Sequence, residues 1–379
     1  MDFSLSDEQR IIKEAAEKFI AKDYTFDARN KIISSDEGMS RETWQQFADF
    51  GWLGIALPEE VGGYGGSMIE TMIITEALGS AMVIEPFLST VVMCASLIQQ
   101  AGNSTQKEEL LPKIIEGNLL LSLAFVEEQS RYNLADVATS AEKSGDDYVI
   151  NGTKVVALGA PWADKLILSV RTSGNRTDTS GISLFLIDKS APGVTCTDYA
   201  LADGSQGANI LLENVSVSKD ALIGELDQGL TILEDVIDRA TAALCADALG
   251  AMEACFKKTL EYVKTRKQFD VAIGSFQVLQ HRVVDMFTAV ESSRSMAYMV
   301  SMKINVDDAI ERKKAVSAAK AHIGKHARFV SQQAVQLHGG IGMTEELDIG
   351  HYFRRLTLFC RLFGSTEYHI ERFAKFSQI

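Results

Sequence analysis

At 379 residues the chain is longer than a single hydrophobic core usually serves, so two or three domains are expected. Apolar residues make up 46% and charged residues 23%, the mix of an ordinary globular protein. A net charge of -14 excludes a broad basic surface for nucleic acid and leaves room only for a local basic pocket.

The first stretch, from Ser4 to about Gly117, carries helical periodicity. Ser6 ahead of Asp7, Glu8 and Gln9 has the form of a capped start, and Ile11, Ile12, Ala15, Ala16, Phe19 and Ile20 follow at helical spacing. A second helix is predicted from Arg41 to Phe50. The loop LPEEVGGYGGS then brings four glycines, Gly62, Gly63, Gly65 and Gly66. It follows no clear strand and lacks a GKS/T ending, so a tight turn between helices is expected, not a phosphate cradle. Helices are predicted over Ile69–Leu78, Thr90–Gln100 and Thr105–Glu116. From Leu119 to Val217 the period changes: LLLSLAF, DDYVINGTKVVAL, KLILSVRT, GISLFLID and NILLENVSVS are short β-rich runs. Residues 144–147 and Asn151–Gly152 are turn signals. After Gly229 the pattern is helical to the end, over Leu230–Thr265, Ser275–Val306, Asp307–His338, Glu345–Phe363 and a last segment beyond Gly364. The expected organisation is α+β: a helical domain (1–118), a middle β domain (119–228) and a helical bundle (229–379).

With only 5 prolines, the helical share is expected to be large. The five cysteines, Cys94, Cys196, Cys245, Cys255 and Cys360, are scattered and form no CxxC pair, which predicts reduced core thiols and no metal site. No apolar run is long enough to span a membrane. The opening MDFSLSDEQRIIKEAAEKF has no signal-peptide core, so a cytoplasmic protein is expected.

Thr265–His281 (TRKQFDVAIGSFQVLQH) concentrates the polar signals. Arg266 and Lys267 adjoin Phe269, and after Gly274 a helix carries Gln277, Gln280 and His281 at i, i+3 and i+4. A cationic turn beside a hydrogen-bonding face suits a ligand with a phosphate at one end and a flat heterocycle at the other. A solvated loop before an amphipathic helix has the same pattern.

Six blocks together resemble the acyl-CoA dehydrogenase family over nearly the whole length: WQQFADFGWLGIALPEEVGGYGG with EALG, QKEELLPKIIEGN, YVINGTK, LLENVSVSKDALIGELDQGL, TRKQFDVAIGSFQVLQHRVVDM and QLHGGIGMTEE. The resemblance implies FAD as cofactor, an acyl-CoA substrate oxidised to the trans-2-enoyl-CoA, and an electron-transferring flavoprotein as acceptor. It also implies a dimer or tetramer with the FAD across a subunit interface. In the family a carboxylate removes the α-proton while the β-hydrogen leaves as hydride, and hydrogen bonds hold the thioester oxygen. By the same resemblance Arg266, Gln268, Phe269 and Gln277 line a neighbouring subunit's FAD. Gln336, Gly339 and Gly340 form the family's Q-x-x-G-G loop near the pyrophosphate, and His338 within it has packing or capping as its other reading.

The flavin-facing positions depart from the family. Where T-E-P-x-A-G-S-D is usual, the chain reads VEEQSRYNLAD, with Val126 at the threonine and Glu128 at the proline. The tryptophan and threonine that cover the isoalloxazine stand as Val156 and Leu158. The usual Glu-Gly-Thr base is replaced by Phe363-Gly364-Ser365-Thr366, and neither alignment register supplies a carboxylate. The alternative base on the first bundle helix aligns with Ala240 and Thr241, while Asp238 and Arg239 fall on another face. Glu367 reads as an exposed first-turn acid. Asp270 puts an anion where glycine is frequent. No catalytic residue is therefore assigned.

This pattern is similar to the small subunits of two-component acyl-CoA dehydrogenases for bulky or dicarboxylic thioesters, in which a paralogous chain completes the site. Two other readings stay open: a self-sufficient homomer using Glu367 or Asp238, and a flavin-free scaffold or acyl-CoA-binding protein.

Overall fold

The computed structural model describes residues 5–378; Ser4, where the first helical pattern opens, lies outside them. The chain divides into two compact units. One comprises the described parts of residues 1–32, 68–83 and 241–379; the other comprises 33–67 and 84–240.

The first unit is helical. α1 (Asp7–Asp23) starts at a full capping box, with Ser6 and Gln9 each bonding the other's backbone N–H. α2 (Phe26–Ile33) follows, α3 (Arg41–Asp49) belongs to the other unit, and α4 (Met68–Ser80) is buried almost all round. The long helix α7 (Gly229–Thr265) enters this unit at Thr241, and a small hairpin of β9 (Lys267–Gln268) and β10 (Val271–Ala272) links it to α8 (Gln277–Lys303). α9 (Ala309–His338), α10 (Asp348–Phe359) and α11 (Thr366–Ser377) complete it. Met72 and Ile73 of α4 pack with Ala246 of α7, flanked by Ile12 and Tyr298. α4 and α7 cross on reciprocal glycines. A Cβ on Gly79 would lie 2.0 Å from the Asp247 carbonyl oxygen, and one on Gly250 would lie 1.8 Å from that of Glu76. The small-residue run around Gly250 therefore serves close helix packing.

The second unit is built on an eight-stranded mixed sheet. Its strands are β1 (Leu121–Ala124), β2 (Ser140–Ser144), β3 (Asp147–Leu158), β4 (Lys165–Arg171), β5 (Ile182–Asp188), β6 (Val194–Ala200), β7 (Gln206–Val217) and β8 (Leu222–Ile223). They lie in the order β6-β7-β3-β2-β4-β5-β8, with β1 parallel to β4. Phe185, Leu166, Leu168, Ile150 and Ile210 are among the apolar side chains of its core. α3 (Arg41–Asp49), α5 (Ser96–Ala101), α6 (Ser104–Ile115) and a π-helical stretch (Phe87–Ala95) also belong to this unit.

The predicted turn at residues 144–147 is present as the β2–β3 hairpin, with Gly145 at φ 65°. Asn151–Gly152 is not a turn. It lies inside β3, opposite a bulge of β7, and Gly152 passes so close to Thr139 that a Cβ would meet its Cα at 2.6 Å. Strands β2 and β6 were not predicted: SAEKS is largely polar, and VTCTDYA interleaves Thr and Asp with its apolar residues on an edge strand that has no fully buried position.

Candidate functional site

The helical unit presents the residues expected near a nucleotide. The β9–β10 hairpin turns on Phe269 (φ 54°) and Asp270 (φ 64°), a two-residue turn with both centres left-handed. Glycine or asparagine takes that conformation without strain, which accounts for the glycine frequent at position 270 in the family. The bulky Phe269 is held there all the same, with 88% of its surface exposed, edge-on to Phe276 at 6.2 Å. Arg266 ends α7, its N–H donating to the Tyr262 carbonyl at 2.8 Å. The side chains of Arg266, Gln277 and Gln336 are exposed and have no hydrogen-bonding or ionic partner among the described residues. Gln268 bonds only the Lys267 carbonyl, at 2.8 Å. Gln280 is tied to the Gly274 carbonyl at 3.0 Å and caps the turn before α8, so it does not join an open hydrogen-bonding face.

The Gln336–Gly340 loop stands at the C-terminus of α9. His338 is buried there, its Nδ1 2.8 Å from the Ala334 carbonyl and its ring stacked on Tyr262 at 4.2 Å, so it packs and caps. That stack brings the end of α7, with Arg266, beside the loop. Gly339 (φ 65°) and Gly340 are exposed, and a Cβ on either would meet nothing within 4 Å. Open backbone beside an unpaired arginine and exposed glutamines fits an incoming diphosphate.

The second cluster is in the β unit. The segment from Phe125 to Thr139 is pinned by Glu127, whose buried carboxylate accepts from Lys154 Nζ (2.6 Å), Gln129 Nε2 (2.8 Å) and the N–H groups of Ala138 (2.8 Å) and Thr139 (3.1 Å). Burial alone would raise its pKa. The Lys154 charge and these hydrogen bonds overcome burial and hold it down at about 2. Lys154 has no exposed surface, and burial lowers it to about 8 against the pull of Glu127, so the pair is ionised at neutral pH. Sequence reasoning missed this pair; the signal available was Lys154 in register with Ile150 on the inward face of β3. Val126 accepts from the Val155 N–H (2.8 Å), joining the loop to a bulge of β3 itself. Val156 sits there at φ 53°, a left-handed outlier for a β-branched residue. Val156 and Leu158 offer no side-chain hydrogen bond to a ring.

The positions considered for a base hold none that is ready. Phe363 (φ 57°) and Gly364 (φ 127°) lie in the α10–α11 connection, where a Cβ on Gly364 would strike His369 Nε2 at 2.5 Å. Lys320, also missed from sequence, is 1% exposed and donates to the carbonyls of Phe359 (2.7 Å) and Gly364 (3.0 Å). Burial lowers its pKa to about 8. Glu367 is exposed in the first turn of α11, and its own backbone N–H and Ser365 lower its pKa, the wrong direction for a proton acceptor. Asp238 is buried within α7 and Arg239 pairs with Asp235 at 2.7 Å. Among the described residues no group of three or more His, Cys, Asp or Glu could hold a metal ion, and no helix is long and apolar enough to cross a membrane.

Comparison with known proteins agrees with this architecture. Three family models match in order: the acyl-CoA dehydrogenase N-terminal domain over residues 6–118, the middle domain over 122–215 and the C-terminal domain over 227–377. The mitochondrial isovaleryl-CoA dehydrogenase of Oryza sativa subsp. japonica is 30% identical, covering 93% of this chain and 87% of its own length. Among solved structures, butyryl-CoA dehydrogenase from Megasphaera elsdenii superposes over 100% of both chains with a TM-score of 0.91 at 25% identity. A variant of the Tcur3481-Tcur3483 steroid ACAD covers 99% of both chains with a TM-score of 0.88 at 26% identity. The chain thus belongs to the acyl-CoA dehydrogenase family, whose members are FAD-binding oxidoreductases acting on acyl-CoA thioesters.

Proposed function

We propose that this chain is one subunit of a FAD-dependent acyl-CoA dehydrogenase that shares an interfacial flavin site with a paralogous chain. The observation that carries the reading is the outward-facing set of Arg266, Phe269 and Gln277, beside the open Gly339–Gly340 backbone. Phe269 is held in a strained turn with only Phe276 beside it, and the side chains of Arg266 and Gln277 have no partner among the described residues. Phe269 in particular keeps a left-handed backbone while almost fully exposed, the mark of a side chain positioned for something outside the chain. Arg266 would bind the diphosphate of a neighbouring subunit's FAD, with Gln268, Gln277 and Gln336 as hydrogen-bonding neighbours and Phe269 covering the nucleotide. Bound FAD supplies the hydride acceptor for α,β-dehydrogenation. The α-proton acceptor would come from the paralogue, because residues 363–364 carry no carboxylate and Glu367 is held below the usual carboxylate range. Electrons would leave to an electron-transferring flavoprotein in the cytoplasm. The proposed organisation is three domains, 1–118, 119–228 and 229–379.

The test is flavin content in the co-expressed pair. Arg266→Ala should lower bound FAD per complex several-fold without loss of the complex. Unchanged flavin absorbance removes Arg266 from the site. A yellow, active chain purified alone would favour the self-sufficient enzyme instead.

A further inference from the structure

The apex of the Phe125–Thr139 loop carries Arg131 in the left-handed region, at φ 49°. In the T-E-P-x-A-G-S-D pattern this is the place of the glycine, the residue that takes a left-handed conformation freely, whereas here a long cation takes it at a cost in strain. The loop is not free to relax that strain. Glu127 fastens one part of it to Lys154 and to the amides of Ala138 and Thr139. Ser130 Oγ both accepts from the Glu127 N–H (3.0 Å) and donates to the Glu127 carbonyl (2.9 Å). The Asn133 N–H donates to the Ser130 carbonyl at 2.8 Å, closing a turn with Arg131 inside it. Further on, Arg171 donates to the Ala135 carbonyl at 2.7 Å.

Two of the three acids around the apex are occupied; the third, Glu128, is exposed and makes no ion pair with Arg131. Glu127 serves Lys154, and Asp136 pairs with Arg176 at 2.9 Å. The exposed guanidinium of Arg131 has no hydrogen bond or ion pair among the described residues, Glu128 included. On a chain of net charge -14, an exposed arginine without an ion pair, carried on a pinned backbone, is a local exception to the field that would otherwise repel an anion. We propose that Arg131 is a specificity-determining residue that grips an oxyanion, phosphate or carboxylate, of the CoA thioester. This rests on the acyl-CoA reading above and adds to it a residue of the β unit.

The experiment is calorimetric titration of the full chain, and of its complex with the paralogue, with CoA, dephospho-CoA, butyryl-CoA and succinyl-CoA. Flavin content is read by absorbance in the same samples. Arg131→Gly removes charge and strain together, so it should raise the melting temperature while weakening binding about tenfold or more. Arg131→Gln removes the charge alone and should weaken binding equally without the gain in melting temperature. A loss for CoA that spares dephospho-CoA assigns the 3′-phosphate. A loss confined to succinyl-CoA assigns the acyl carboxylate, and a loss common to all four assigns the diphosphate. Binding by both variants equal to wild type overturns the proposal, as does a wild-type protein that binds none of the four. Arg131-dependent binding in a chain and complex without flavin would sink the dehydrogenase reading and leave this one standing. Normal flavin with Arg131-independent binding would do the reverse.

Discussion

Lys154 shows how much one side chain can hold in place. Its ammonium sits within 2.6 Å of Glu127 and 3.2 Å of Ser169 Oγ, with no route to water. Replacing it as Lys154→Met would leave Glu127 buried without its cation, and a loss of about 3–5 kcal/mol in unfolding free energy is expected by urea titration. The pH dependence follows from Glu127, whose folded-state pKa is depressed from 4.5 to about 2. A depressed carboxyl stabilises fully above its unfolded pKa, so wild-type stability should fall as pH drops from about 4.5 towards 2, and this step should vanish in Lys154→Met. Neither partner was legible as a pair. They stand 27 residues apart, and only the folded register of β3 against the loop makes them neighbours. Arg266 was legible because its motif is local, with cation, aromatic and glutamine within one short stretch.

Among elements, the α4–α7 crossing admits the sharpest prediction. Gly250→Ala would set a methyl group on the Glu76 carbonyl of a backbone that cannot rotate away, so the two helices must part. Destabilisation of about 1–3 kcal/mol or more is expected, read as a lowered melting temperature. The neighbouring Arg355–Asp247 pair, with contacts of 3.0 and 2.6 Å, would be strained by the same movement. Most helix positions were readable to within a few residues because apolar spacing and capping act locally: Ser6, Asn103 and Ser365 cap as their types predict, whereas α2 was not predicted. The Phe269–Asp270 turn was not, since phenylalanine at a left-handed centre breaks the local rule. Such breaks are expected where a site, not stability, sets the backbone. Asn151–Gly152 was misread as a turn for a related reason: the same dipeptide also serves within a strand, where a glycine lets the neighbouring Thr139 pass close.

For the whole molecule, the order of helical, β and helical stretches was plain from the change in hydrophobic period, and six sequence blocks then carried the family. The partner surface of the proposed complex is written more faintly, in apolar residues left on the surface of the helical unit. Phe269, Val278, Val284, Phe287, Ile341 and Met343 are all exposed, on the hairpin, α8 and the loop after α9. Phe269→Ser should therefore leave the melting temperature of the isolated chain nearly unchanged while weakening assembly with its partner, measured by sedimentation velocity across a dilution series. Assembly indifferent to that change would place the subunit contact on another surface.

The helical unit is assembled from pieces far apart in the chain, with α1 and α4 translated well before α7 closes over them. At about 5–20 residues per second, the roughly 160 residues between Val83 and Thr241 keep the apolar surface of α4 waiting on the ribosome for about 10–30 seconds. The β unit can close in that interval, whereas Met72, Ile73 and Ile74 remain exposed. Chaperone supply and translation speed during that wait, more than the stability of the finished fold, should govern how much of this protein a cell recovers in usable form.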